Sequence, residues 1–346
     1  MGFNMSQQPL ILALTDGKAG HETQTQGIIQ LLNQQQTYEV EWLTLKLPSK
    51  WHYRILKWLM KFSPNTAWLT AFLSREQLVS LKQKKVAYIV SAGGNTLLPN
   101  ALLKLELSKT QAVKNIVASS LRGIKSHYFD VVFTIDINKQ GIQPFVYYPI
   151  APNKMLSFNL EDEKKSALKV LNLPVNKVVI SILIGADTKE VQIGTINEWV
   201  GWLHHLVQQS PESYFIISTS RRTLQEFELA LKQSFALTKN VRLILVGQGN
   251  NQRIQDVIYA SNMVICSPDS TSMISEGLIA GKKLFVPLFK HSKLSDNFQK
   301  YYVQLEQDMP ISCSPINTIV DFNTKELRVI NHAQNLEQAF KNILNK

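Results

Sequence analysis

Short runs of consecutive apolar residues alternate with longer stretches of helical spacing along the whole chain. In the first half the runs are LILAL (10–14), YEVEWLTL (38–45), VAYIVSAG (86–93), AVKNIVAS (112–119) and DVVFTID (130–136). In the second they are KVVISILIG (177–185), SYFIISTS (213–220), VRLILVG (241–247), NMVICS (262–267) and KLFVPLF (283–289). Strand-length runs separated by helical stretches predict an α/β class with mainly parallel sheet. Two sets of five strands, each with its own helices, predict two doubly wound domains rather than one giant sheet. The join falls at PIAPNKMLSFNLEDEKK (149–165), where prolines interrupt regular structure and an acidic stretch then starts a helix. The expected division is a first domain over 1–155, a second over 156–325 and a terminal segment over 326–346. A polar, irregular piece around 310–325 precedes the terminal helix HAQNLEQAFKNIL, which can cross back to the first domain.

A length of 346 residues suits two ordinary domains, and 45% hydrophobic with 18% charged residues excludes a disordered chain. Charge changes the picture more. The 37 Lys and Arg against 26 Asp and Glu give +11, which invites nucleic acid, an anionic membrane face or a phosphate-bearing ligand. Nearly all of the excess is local: over 51–125, nine lysines and three arginines meet only Glu76 and Glu106. No nucleic-acid motif accompanies that stretch, so nucleic acid is not expected as a partner. Cys266 and Cys313 form no CxxC, and no His/Cys cluster has metal-ligand spacing, so neither a disulfide framework nor a metal nor another cofactor is expected. A reducing cytoplasm fits. The apolar run near the start is too short to span a bilayer and reads as a buried strand, although Gly2 with Ser6 formally matches a myristoylation pattern.

Within the basic stretch, WHYRILKWLMKF (51–62) places Trp51 and Trp58 at helical spacing beside Arg54, Lys57 and Lys61. Aromatic side chains beneath a basic rim are how a peripheral helix holds an anionic membrane, and an ordinary amphipathic helix with its apolar face in the core is the competing explanation.

Four regions concentrate reactive side chains. The first follows the first strand and reads Thr15-Asp16-Gly17-Lys18-Ala19-Gly20-His21-Glu22. Gly17 and Gly20 allow close backbone approach, Lys18 adds charge, and the helix that follows offers free N–H groups to an anion. Asp16, His21 or Glu22 could each deprotonate a hydroxyl, with Asp16 preferred and His21 next. Neither GxxxxGK[ST] nor GxGxxG is present. The second loop, SAGGN (91–95), brings Gly93, Gly94 and Asn95, the last able to cap a helix or bind a ligand hydroxyl. The third region joins two loops: Gly185-Ala186-Asp187-Thr188-Lys189 after one strand, and Ser220-Arg221-Arg222-Thr223 after the next. Arginines among hydroxyls at a strand-to-helix turn suit a diphosphate, and two arginines starting a helix would oppose its dipole unless an anion compensates. The fourth, CSPDSTSMISEGLIAGKK from Cys266, carries Asp269, Ser270, Thr271 and Ser272 into a helix bearing Glu276, with Gly281 as its stop. Hydroxyls and a helix start can hold phosphate oxygens, and Glu276 can take both hydroxyls of a ribose, unless it is simply a solvated side chain.

LTDGKAGHETQ (14–24), LIGADTK (183–189), TSRRT (219–223) and DSTSMISEG (269–277), in that order, resemble the family of GT-B proteins named after the plant mitochondrial-fission factor whose loss gives elongated mitochondria. Bacterial members of that family are regarded as lipopolysaccharide-core glycosyltransferases. The resemblance implies the GT-B fold, with two Rossmann-like domains facing across a cleft, and a metal-independent, inverting transfer from a nucleotide sugar to a lipid-linked, anionic oligosaccharide acceptor. It implies donor contacts from Gly185, Asp187, Lys189, Ser220, Arg221, Arg222, Asp269, Ser270, Thr271, Ser272 and Glu276. The acceptor would meet Gly17, Lys18, Gly20, Gly94 and Asn95, and the protein would sit peripherally on the cytoplasmic face of the inner membrane. SAGGN stands where relatives tend to have Gly-Arg-Arg, and Asn153-Lys154 where they tend to have His-Arg, so acceptor identity transfers least. A non-catalytic membrane scaffold on the same body, or a nucleotide-sugar epimerase or hydrolase, are the other classes compatible with the fold.

Overall fold

The computed structural model describes residues 8–34, 36–174, 176–250, 252–316 and 330–344. Gly2 and Ser6, most of the irregular piece around 310–325 and the expected domain limit at 325 lie outside the described residues. The chain divides into two compact units, one of Met1–Leu156 with Ala333–Lys346 and the other of Ser157–His332.

The first unit contains β1 (Leu10–Thr15), α1 (Ala19–Asn33), β2 (Glu39–Thr44), α2 (Lys50–Leu59), α3 (Arg75–Gln83), β3 (Val86–Ala92), α4 (Leu97–Leu107), β4 (Lys114–Ala118), β5 (Val131–Thr134) and β6 (Phe145–Tyr147). Its strands are all parallel, in the order β2-β1-β3-β4-β5-β6. Every residue of β1 is buried, as a strand sandwiched between neighbours and covered on both faces must be, and Leu12 lies between Glu41 of β2 and Ile89 of β3. The edge strand β2 buries only Leu43. Polar side chains set the helix starts: Ser49 accepts from the His52 amide ahead of α2, and Ser74 with Gln77 makes a reciprocal capping box at α3.

The second unit contains α5 (Leu160–Val170), β7 (Val179–Ile184), β8 (Val191–Ile193), α6 (Ile196–Gln209), β9 (Tyr214–Thr219), α7 (Gln225–Phe235), β10 (Val241–Ile244), α8 (Ile254–Ala260), β11 (Met263–Cys266), α9 (Thr271–Ile279), β12 (Lys283–Leu288), β13 (Ser292–Leu294), α10 (Asp296–Asp308) and β14 (Ile311–Pro315). The main sheet is again parallel, in the order β10-β9-β7-β11-β12-β14. Trp199 anchors its core: the indole is fully buried, donates to the Ile193 carbonyl at 2.9 Å and packs on Phe289 with ring centroids 4.8 Å apart. The last helix, α11 (His332–Leu344), follows in sequence, but its residues from Ala333 on are counted with the first unit. There Phe340 stacks on Phe133 of β5, and the Lys114 ammonium donates to the Leu344 carbonyl at 2.6 Å.

Each main sheet therefore has six strands, not the five read from the sequence. The additions are edge strands whose apolar content is too small to register: β6 is three residues long and β14 reads ISCSP. A small antiparallel pair, β8 with β13, was likewise not expected.

Both sheets are doubly wound, and each reverses direction once. In the first the chain builds outward from β1 to β2, then crosses to β3 on the other side; in the second it builds from β7 through β9 to β10, then crosses to β11. The carboxyl ends of β1 and β3, and of β7 and β11, flank the crevices that such reversals open, the places where parallel α/β sheets bind ligands.

Candidate functional site

At the first reversal the loops after β1 and β3 meet through one carboxylate. The Asp16 side chain is completely covered; its Oδ1 bonds His21 Nδ1 at 2.8 Å, and its Oδ2 accepts from Asn95 Nδ2 at 2.9 Å. Lys18 contributes its amide to Oδ1 at 3.4 Å and its ammonium 4.0 Å from Oδ2. Burial works against ionisation here, but the His21 and Asn95 bonds, the charge of the imidazole and the Lys18 amide outweigh it and hold Asp16 below the ordinary aspartate value. With Nδ1 turned to a carboxylate, the neutral imidazole carries its proton there and leaves Nε2 as a lone-pair acceptor. No described residue occupies that nitrogen with a hydrogen bond. The ring lies against Gly93, whose φ of +86° only glycine adopts freely.

The other members of this loop are spoken for differently. Thr15 Oγ1 donates to Glu22 Oε1 at 2.6 Å and accepts from the Gly17 amide, so Glu22 closes the turn. Gly17, at φ +77°, and Gly20 both face open space. Asn95 neither caps α4 nor stands free, since its amide is committed to Asp16, and Thr96 is the N-cap residue. Gly94 accommodates the guanidinium of Arg122 where a side chain would otherwise be, and its carbonyl accepts from Tyr53 at 2.7 Å. Burial pushes the Tyr53 phenol up to about 12, so it remains a donor. Neither Tyr53 nor Arg122 stood out in the sequence. Asn153 is buried with its backbone against Gly27 of α1, which no other residue could replace at that approach.

On α2 the apolar residues divide. Leu56 is buried, as is Met60 just beyond the helix, whereas Trp51, Ile55, Trp58 and Phe62 form an i, i+4, i+7, i+11 stripe on the outside, Trp51 at 75% exposure and Phe62 at 72%. Trp58 and Phe62 touch edge to face at 4.9 Å. Among the described residues no helix is long and apolar enough to cross a membrane.

At the second reversal the organising group is Asp269, beyond β11. Its fully covered carboxylate accepts from the Ala186 amide at 3.2 Å, Ser267 Oγ at 2.6 Å and the Arg222 guanidinium at 2.7 Å, while Ser267 Oγ in turn accepts from the Gly185 amide. Gly185 has no room for a Cβ beside this carboxylate. Three loops are thus tied together by one aspartate. Asp187 closes the next turn by accepting from the Ile193 amide at 2.8 Å. Arg221 and Arg222 do not start a helix: Ser220 and Thr223 form a separate turn, and α7 begins afterwards with Glu226 and Glu228 in its first turn. The expected clash with the helix dipole is absent because the acidic residues, not the arginines, occupy the helix start. Arg221 and Lys189 are exposed, as are Thr271 and Ser272; Ser270 caps α9 by accepting from the Met273 amide. Glu276 is buried, one turn into α9, with Ser272 Oγ 3.4 Å away. Sequence reasoning missed Glu228, a buried carboxylate that accepts from Thr219 Oγ1 at 2.5 Å and the Gly247 amide at 2.8 Å and so joins the ends of β9 and β10. Among the described residues no three His, Cys, Asp or Glu side chains gather as metal ligands would.

Similar proteins share this architecture. The chain aligns over 97% of its length with 98% of ADP-heptose LPS heptosyltransferase II from E. coli, at 12% identity and a TM-score of 0.48. It covers 98% of itself and 93% of UDP-GlcNAc 2-epimerase from Methanocaldococcus jannaschii, at 13% identity and a TM-score of 0.50. A family 9 glycosyl transferase from Veillonella parvula matches over 98% of both chains at 10% identity and a TM-score of 0.47. The shared fold is the GT-B type of two doubly wound α/β units. No curated protein sequence matches. The profile of the family described as Mitochondrial fission ELM1 matches residues 19–328, and the chain belongs to that family.

Proposed function

We propose that the protein is a membrane-associated glycosyltransferase that moves a sugar from a nucleotide-sugar donor, held by the second unit, to a lipid-linked, anionic acceptor of the lipopolysaccharide-core kind, held by the first. The observation that carries this reading is the imidazole of His21, oriented through Nδ1 by a covered, ionised carboxylate and open at Nε2, at the sheet reversal where ligands bind. In the reaction, His21 Nε2 takes the proton of an acceptor hydroxyl as its oxygen bonds to the anomeric carbon. The bond from that carbon to the diphosphate breaks, and the leaving nucleoside diphosphate keeps the electron pair. One base and one displacement invert the anomeric centre. Asp16 orients the ring and stabilises the imidazolium, which makes it a supporting group and His21 the base.

Arg221, Lys189 and the α9 amides beyond Ser270 are the groups of the second unit suited to the diphosphate charge, so the reading assigns no metal to the leaving group. Glu276 would take the ribose hydroxyls. The exposed stripe of α2 would enter the headgroup zone on the cytoplasmic side of the inner membrane, with the exposed Lys61 beside it.

Titration with UDP-, GDP-, CMP- and ADP-sugars, following thermal shift and nucleotide release with and without a core oligosaccharide, tests this. One donor should raise the melting temperature, and its nucleotide should be released only when acceptor is present. Release without acceptor would indicate a hydrolase or epimerase, and no nucleotide binding at all would leave a scaffold. Glu276→Ala should weaken donor binding by about 1–3 kcal/mol.

A further inference from the structure

A cavity of about 490 Å³ opens beside Asn95, walled by Lys50, Arg54, Lys57 and Arg122 and floored by Tyr53 and Gly94. Among the described residues no acidic side chain lines it, and none of the four cations has a carboxylate within ion-pair distance. Elsewhere in the same unit several basic side chains are answered, Lys82 and Lys109 by Glu106, Lys84 by Glu41 and Lys104 by Asp130; others, such as Lys61, Arg75 and Lys85, are exposed, so what sets these four cations apart is that they line one cavity. Four cations left converging on one cavity repel each other unless an anion enters.

Arg122 is held there at a cost. Its φ is +50°, a left-handed conformation that side-chain-bearing residues seldom keep, and the one other non-glycine residue in that region among the described residues is Asn172, a type that tolerates it. A turn needing only its shape would take glycine or asparagine at 122. Three features fix the arginine instead: the Lys57 ammonium donates to its carbonyl at 3.0 Å, the bare Cα of Gly94 admits its guanidinium, and Tyr53 pins the Gly94 carbonyl. Strain maintained by surrounding contacts is the mark of a positioned functional group.

We propose that this cavity is a subsite for a phosphate monoester. A single carboxylate would be matched by one bidentate arginine, whereas a dianionic phosphate with three terminal oxygens has the charge and acceptors for several cations and the Tyr53 region. Asn95 lines the cavity and also holds Asp16, so a phosphate bound there sits one residue away from the His21 pair. This deepens the glycosyl-acceptor reading, on which it rests for the molecule that carries the phosphate: the substrate is a sugar phosphorylated near the hydroxyl that is glycosylated.

Isothermal titration with glucose 6-phosphate and, separately, with UDP and ADP tests it on the full chain. Wild type should bind glucose 6-phosphate saturably. Arg54→Gln and Arg122→Gly should each weaken that binding about tenfold or more and leave nucleotide binding unchanged. Arg122→Gly relieves the backbone, so its melting temperature without ligand should equal or exceed that of wild type, which separates lost binding from lost folding. Arg221→Ala should show the reverse pattern. Equal glucose 6-phosphate affinity in wild type and Arg122→Gly overturns the subsite, as does loss confined to Arg221→Ala. Recruitment by Arg54 and Arg122 to phosphatidic acid vesicles with no binding of glucose 6-phosphate also overturns it and gives the cations to the membrane surface. Glucose 6-phosphate binding without any nucleotide binding keeps the subsite and removes the glycosyltransferase reading.

Discussion

The imidazole of His21 occupies the space that Gly93 leaves empty: a methyl group on Gly93 would fall inside van der Waals contact with three ring atoms. The loop after β3 and the first turn of α1 are thereby coupled, 72 residues apart in sequence (93 − 21). Gly93→Ala should displace the ring as well as strain a φ of +86°, lowering turnover about 10²-fold or more, while nucleotide affinity stays at the wild-type value. Unaltered turnover in a folded Gly93→Ala protein would show that the ring position is immaterial.

Asp16→Asn keeps the shape of the side chain and removes its charge. Turnover should fall about 10²–10⁴-fold. The Asp16 pKa lies below the ordinary aspartate value, so the charge removed by this change is present at neutral pH. Turnover of a folded Asp16→Asn protein within a few-fold of wild type would argue that Asp16 does not act through His21.

Asp269 is expected to matter for the second unit's fold more than for any ligand, because its carboxylate has no exposed surface. Asp269→Ala leaves the Ala186 amide and Ser267 Oγ without their acceptor and should cost about 2–3 kcal/mol in denaturant unfolding. Arg222→Ala removes a half-exposed partner and should cost about 1 kcal/mol or less. Similar small losses in both variants would mean that the three loops are held by something else.

Lys282 gives the second unit a distinctive alkaline response. It is almost fully buried, donates to the Tyr259 and Ser261 carbonyls, and has its pKa brought down to about 7 by burial, with the Lys164 charge adding to the effect. The unfolded chain retains the ordinary value of 10.5, so between about 7 and 10.5 it binds more protons than the folded state. Stability should therefore rise with pH across that window, by up to about 1.4 kcal/mol per unit from this group. Urea midpoints from pH 7 to 9 should climb in wild type and flatten in Lys282→Met; equal slopes would remove Lys282 as the cause.

Flotation with vesicles containing anionic lipid should fail when Trp51, Trp58 and Phe62 are all replaced by Ser, with the melting temperature little changed because the three rings are exposed. A stripe that serves another purpose would leave flotation intact.

The strands that bury both faces, such as β1 and β7, announce themselves as unbroken apolar runs, which is why two doubly wound sheets are legible from the sequence alone. The reactive loops are legible for a related reason, since they follow those runs directly. What the sequence could not convey is partnership. Arg222 looks free until Asp269, 47 residues away, is folded against it, and Asn95 looks like a cap until Asp16 claims it. Arg122 is one of three arginines in a basic stretch; only its left-handed backbone and its seat over Gly94 set it apart. Local chemistry was readable at each loop, whereas the role of each group depended on contacts between loops.

The seat of α11 has a bearing on how the protein is made. Fully buried Leu336 and Phe340 supply part of the first unit's interior, yet they are translated only after the whole second unit. During synthesis the second unit can reach its final packing first, while the sheet that leads the chain waits for its last covering helix to leave the ribosome. The half of the protein that carries His21 thus draws part of its interior from residues translated after the second unit.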